Sequence, residues 1–148
     1  MAGSHHRKGN KLRRFRSIII TLLVSTIALT GSESEVSYYG TKSDGYAGKI
    51  TASGKYMDPL AYSAAHKTLP FGTILRVVRK GTTRAVRVIV TDRGPFVKNR
   101  DLDLSWAAAR DLNILKAGHA LVTYTVIGFT SDFRTFGVRS KALLDRTK

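Results

Sequence analysis

The chain has 148 residues, enough for one domain and a leader but not for two domains. It has no cysteine, which excludes disulfides and thiolate metal sites, and its 43% hydrophobic share is that of a globular core. The formal net charge is +15, from 25 Lys and Arg against 10 Asp and Glu, but the aromatics are not interleaved with the basic residues as a nucleic-acid stacking platform requires.

Arg7, Lys8, Lys11, Arg13, Arg14 and Arg16 crowd the start, ahead of an apolar run of 12 from Ile18 to Leu29. That run falls short of the roughly 20 residues of a membrane span and fits the h-region of a secretory signal peptide. Ala28, Gly31 and Ser32 offer small residues for cleavage without making the ideal small-x-small site. Residues 1–32 are therefore read as a signal peptide or, uncleaved, a signal anchor. Export is expected, to the periplasm or the extracellular cell wall. Beyond residue 32 there are 19 basic and 10 acidic residues, a net +9, which favours polyanions or is simply a solvated basic surface.

From there the pattern is short strands between Gly-rich turns. Val36 to Tyr39 reads as a first strand, and Gly40 to Gly54, with glycines at 40, 45, 48 and 54, as a loop. Tyr62 to His66 is a short strand. Ile74 to Arg79 and Ala85 to Thr91 flank Lys80-Gly81-Thr82-Thr83 as a hairpin, and Val86, Val88 and Val90 give its second strand an apolar face. Leu102 and Leu104 alternate with Asp101, Asp103 and Ser105. Ser105 then serves as the expected N-cap of a helix from Trp106 to Leu112, which Lys116-Ala117-Gly118 breaks. Leu121 to Ile127 is the last clear strand. The tail, 128–148, carries Phe129, Phe133 and Phe136, which either dock on the domain or form an interaction segment, and ends in a polar stretch from Ser140. The class expected is mainly β, a small closed barrel with one or two short helices.

Two segments carry chemistry: His66-Lys67-Thr68-Leu69-Pro70-Phe71-Gly72-Thr73 and Thr91-Asp92-Arg93-Gly94-Pro95-Phe96. Asp92 sits where a strand stops and a Gly/Pro turn begins, so its carboxylate is held either in a cleft or merely as a turn cap. His66 either orients a carboxylate or satisfies the barrel interior. Asp58 precedes Pro59 and has a turn-forming alternative. Tyr38 and Tyr39, on opposite faces of a strand, place one ring in the core and leave one to stack on a sugar. His5, His6, His66 and His119 have no metal-ligand spacing. No Walker loop, dinucleotide fingerprint or nucleophile elbow is present, so cofactor-free chemistry is expected.

Together with Tyr38-Tyr39-Gly40, Thr51-Ala52-Ser53-Gly54 and Arg100 through Asp103-Leu104-Ser105, these segments resemble the rare lipoprotein A (RlpA-like) family, in order, from about Val36 to Ile127. The resemblance implies a six-stranded double-psi β-barrel over residues 33–127 and action on peptidoglycan glycan strands. It implies a lytic transglycosylase, in which the sugar's own 6-hydroxyl attacks and one carboxyl serves first as acid and then as base. Asp92 matches the proposed acid/base, and Asp58 and His66 belong to the same catalytic cleft. Tyr39, Lys55 and Arg93 are taken as substrate-binding, with a clamp on a carboxylate such as Asp103 as the structural alternative for Arg93.

Two departures stand out. Lys55 occupies the position where family members commonly carry glutamate, and near Asp92 it would make a poorer acid of it. No cysteine is available for the lipid anchor of many members. The alternatives are a non-catalytic glycan-binding or expansin-like wall-loosening module, and a structural exported protein. The partners expected are peptidoglycan glycan strands and anionic cell-wall polymers, with no nucleic acid, membrane contact only through an uncleaved leader, and a monomeric state.

Overall fold

The computed structural model describes residues 31–132. The expected leader up to residue 30 and the tail from 133, with Phe133 and Phe136, lie outside the described residues. Six strands run as β1 (Ser32–Tyr39), β2 (Ser63–His66), β3 (Thr73–Arg79), β4 (Ala85–Asp92), β5 (Arg100–Ser105) and β6 (Ala120–Phe129). One helix, α1 (Trp106–Asp111), follows β5 directly. The strands close into a barrel in the order β1-β5-β2-β4-β3-β6, the small closed barrel that the strand pattern predicts.

Two pairings in the barrel are parallel, β1 with β5 and β2 with β4, and the other four are antiparallel. The parallel pairs bring the ends of β1, β5, β2 and β4 to one region, so Tyr39, Asp103, Ala65 and Asp92 converge from strands far apart in sequence. The β3–β4 hairpin follows the sequence pattern. Val86, Val88 and Val90 are buried, and Arg79 N–H donates to Arg84 O at 3.0 Å across the turn.

Strand ends differ from the expectation where pairing partners override local pattern. β1 starts at Ser32 because Ser32 to Val36 lie antiparallel to Ala120 to Tyr124 of β6. β6 runs on through Phe129 because Gly128 and Phe129 pair with Ile74 and Thr73 of β3. Ser105 stands at the N-cap of α1, but its buried hydroxyl makes no cap bond and accepts the Ser63 N–H of β2 at 3.3 Å. With β2 only four residues long, that bond and the pairing of Ser63 with Ile89 of β4 hold its start.

The core is aliphatic. Val36, Leu75, Val77, Val90, Leu102, Leu104 and Val122 fill the barrel, and Ala107, Ala108, Ala109, Leu112 and Ile114 seal α1 against it. Met57 sits against Gly40, where any Cβ would collide with its methyl group, and Gly40 also holds a φ of +86° that favours glycine. Leu75 is fully buried. Leu75→Ala is expected to lower the unfolding free energy by about 2–5 kcal/mol, seen as an earlier midpoint in urea with little change in slope.

Candidate functional site

The turn after β1 builds one wall of the site. Gly40 turns the chain into a loop fixed by Asp44, whose side chain accepts N–H bonds from Thr41 (3.1 Å) and Tyr46 (3.0 Å). Desolvation works against its charge, but these backbone donors outweigh it and hold the Asp44 carboxyl below its ordinary value. A narrow ribbon follows. Gly48 N–H bonds Met57 O, Met57 N–H bonds Lys49 O, Ile50 bridges Tyr56, and Thr51 N–H closes the tip on Lys55 O at 2.7 Å.

The tip of that ribbon reaches β4. Ala52 N–H donates to Asp92 Oδ1 at 2.9 Å, and Ser53 N–H to Thr91 O at 3.2 Å. Arg93 N–H also donates to Asp92 Oδ1, at 2.8 Å. One carboxylate oxygen is therefore pinned by two backbone amides. Among the described residues no cation pairs with Asp92, and Asp92 lines an open cleft of about 520 Å³. Asp103, the second carboxylate of the floor, is tied down by Arg100 Nε at 3.2 Å and by the Ser37 hydroxyl at 2.8 Å.

Tyr39 stands between them. Its hydroxyl is buried without a hydrogen bond of regular geometry, and burial, then the Asp92 and Asp103 charges, push its pKa far above the ordinary phenol value. Its ring meets Tyr46 edge-on, with centroids 6.0 Å apart. Tyr38 is the core member of the pair, packed against the barrel with its hydroxyl donating to Leu115 O at 3.2 Å. The rim is apolar and open: Phe96 is 87% exposed, Ile50 67% and Tyr46 55%, and all three line the cleft.

Of the residues singled out in the sequence, Asp92, Arg93 and Tyr39 meet in the cleft, while His66, Asp58 and Lys55 lie outside its lining. His66 is buried, with Nδ1 accepting the N–H groups of Thr68 and Leu69, both at 3.1 Å. That lone pair is occupied, so Nε2 carries the hydrogen and donates it to the Tyr124 hydroxyl at 3.3 Å. Asp58 accepts Leu60 N–H at 2.8 Å in the turn before β2. Lys55 gives its carbonyl to the ribbon tip. The clamp on Asp103 comes from Arg100. Arg93 instead stacks 3.7 Å over Phe71 and donates through Nη1 to His66 O (3.3 Å) and Leu69 O (3.0 Å).

Sequence reasoning missed Tyr46, Lys49 and Phe96 as cleft residues. The signal for Phe96 was its place directly after Gly94-Pro95, where a turn leaves an aromatic nothing to pack on. For Tyr46 and Lys49 the Gly-rich loop gave no register. Among the described residues no group of three or more His, Cys, Asp or Glu is placed to hold a metal ion.

A closed six-stranded barrel with two parallel pairings defines a double-psi β-barrel protein. Residues 32–124 match the family described as lytic transglycolase, and the chain belongs to that family. It is 47% identical over 92 residues to a probable endolytic peptidoglycan transglycosylase RlpA from Nostoc, covering 62% of this chain and 24% of that one. It is 44% identical over 108 residues to the endolytic peptidoglycan transglycosylase RlpA of Campylobacter jejuni, covering 72% and 38%. The chain thus spans well under half the length of these relatives. Among solved structures, the Streptomyces papain inhibitor shares the fold at a TM-score of 0.52 and 24% identity, covering 68% of this chain and 98% of that one. The Clavibacter michiganensis expansin does so at 0.52 and 21%, covering 70% and 53%.

Burial holds the His66 pKa below its ordinary value; the Asp101 charge works the other way, and Arg93 and Lys67 add to the depression. A depressed folded pKa means the unfolded chain binds the proton more readily, so this contribution to stability is complete above about pH 6.5 and is lost as pH falls through the folded value. Stability measured by urea unfolding is expected to drop as pH falls below about 6.5, and His66→Gln to flatten that slope.

Proposed function

We propose that the chain is an exported peptidoglycan lytic transglycosylase with Asp92 as its general acid and base. The observation that carries this reading is the contrast among the three cleft carboxylates, of which Asp44 is taken up by the Thr41 and Tyr46 amides of its own loop. Asp103 is held by Arg100 and Ser37, whereas Asp92 has one oxygen pinned by Ala52 and Arg93 amides and no cation partner among the described residues. The names of the relatives support the substrate.

In this reading the Asp92 carboxyl, protonated, gives its proton to the glycosidic oxygen of a MurNAc–GlcNAc bond as the C1–O bond breaks. The carboxylate then takes the proton of the MurNAc 6-hydroxyl as O6 bonds to C1, leaving a 1,6-anhydro end and a GlcNAc 4-hydroxyl. No water is activated, so a second free carboxylate is not required. Tyr39, its hydroxyl buried beside Asp92, forms part of the cleft wall rather than stacking on sugar; Tyr46 and Phe96 offer the exposed faces. His66 acts at one remove, fixing the 66–69 turn whose carbonyls hold Arg93 beside Asp92. Asp58 shapes the turn that leads into β2. Lys55, outside the lining, adds no cation to it and meets only substrate that extends past the ribbon tip.

A second reading, a non-catalytic glycan-binding or wall-loosening module, draws on the same exposed rim, since Tyr46 and Phe96 can hold a glycan without any acid. Incubation with purified glycan strands and mass spectrometry separates the two. The transglycosylase yields 1,6-anhydro ends, and Asp92→Asn cuts their rate by roughly 100-fold or more while leaving strand binding in place. Binding with no anhydro ends from the unaltered chain establishes the second reading instead.

A further inference from the structure

The cleft lining contains three cations, and two are already committed. Arg100 is paired with Asp103, and Arg93 is stacked on Phe71 with its Nη1 hydrogens on backbone carbonyls. The third is Lys49. Its ammonium lies 5.9 Å from the centroid of the Tyr46 ring, and among the described residues no carboxylate lies within ion-pairing distance of it. Its partner Tyr46 is half exposed and lines the same wall.

Both members are held in place by backbone. Asp44 accepts the Tyr46 N–H, Lys49 N–H donates to Tyr46 O at 3.1 Å, and Lys49 O accepts the Met57 N–H at 2.7 Å. The loop that positions them is the one whose tip pins Asp92. An aromatic face suits the C–H face of a pyranose, and an ammonium held 5.9 Å over the same ring suits a carboxylate carried by that sugar.

We propose that Tyr46 and Lys49 form a subsite for an acidic sugar, in which Tyr46 stacks on the ring and Lys49 binds its carboxylate. This rests on the glycan reading of the cleft and assigns a specificity element within it. In a peptidoglycan strand that carboxylate has two sources: the lactyl ether of a muramyl residue, free where the peptide has been removed, or the stem peptide itself. A strand of N-acetylglucosamine alone has neither.

The test measures binding by calorimetry with the full chain carrying Asp92→Asn, so that no ligand is consumed. Three ligands are compared: a peptide-free muramyl tetrasaccharide, the same tetrasaccharide bearing stem peptides, and chitotetraose. Lys49→Ala is expected to weaken a carboxylate-bearing ligand roughly twofold to fivefold, the scale of a solvent-facing ion pair, and to leave chitotetraose unchanged. Lys49→Arg should keep most of the affinity, and Tyr46→Ala should weaken all three. Loss confined to the peptide-free strand identifies the lactyl carboxylate, and loss confined to the peptide-bearing strand identifies the stem. Equal loss on chitotetraose, no loss at all, or no binding of any ligand overturns the proposal. Failure of the unaltered chain to make anhydro ends is read in a separate assay; it sinks the transglycosylase reading and leaves this one standing.

Discussion

The site depends on one hydrogen bond, from the Ala52 backbone N–H to the Asp92 side-chain Oδ1. It joins a ribbon in the first half of the barrel domain to the end of β4, 40 residues later. Without it the tip of the 48–57 ribbon keeps the Ser53–Thr91 bond to β4, but the wall that carries Tyr46, Lys49 and Ile50 loses its register to the carboxylate. Because the donor is an amide N–H, the identity of the ribbon side chains matters less than the turn that aims the peptide plane. The Thr51–Lys55 turn supplies that aim, with Gly54 at a φ of +80°.

Around that bond the charges are divided by role. Arginines do structural work: Arg93 braces the 66–71 turn, Arg100 neutralises Asp103, and Arg79 donates to the carbonyls of Leu112 and Asn113 after α1. A planar guanidinium with five donors is well suited to such bracing, while a lysine ammonium on a flexible stem is better suited to meeting a ligand. The strongly basic composition is thus partly spent inside the molecule, which is why net charge alone was a poor guide to a partner.

Much of the fold was legible in sequence because its strands carry their own pattern. Val86, Val88 and Val90 announce an inward face, and the Leu102–Leu104 alternation followed by alanines announces β5 and α1. What was hidden depends on partners. The reach of β1 back to Ser32 and of β6 out to Phe129 is set by pairing across the barrel, and no local signal encodes it. The site was half legible. Asp92 and Arg93 stand in a motif with a turn that fixes them, and the role of Arg93 as clamp passed to Arg100, nearer Asp103 along the same strand. Ser105 looked like a cap and serves as a tie to β2, since helix start and strand neighbour coincide at one buried hydroxyl. His66 is directed by barrel packing toward Tyr124, and Asp58 accepts the Leu60 N–H of its own turn, so neither side chain lines the cleft beside Asp92.

The two parallel pairings have a consequence for when the cleft comes into being. Ser37 and Asp103, 66 residues apart, meet only once β1 lies beside β5, and Asp92 reaches Ala65 only once β4 lies beside β2. Such distant closures are slow steps, and the cleft floor is complete only when both parallel pairings have formed. The cleft is thus a property of the closed barrel alone: an unfolded chain carries the residues of its lining but not their arrangement.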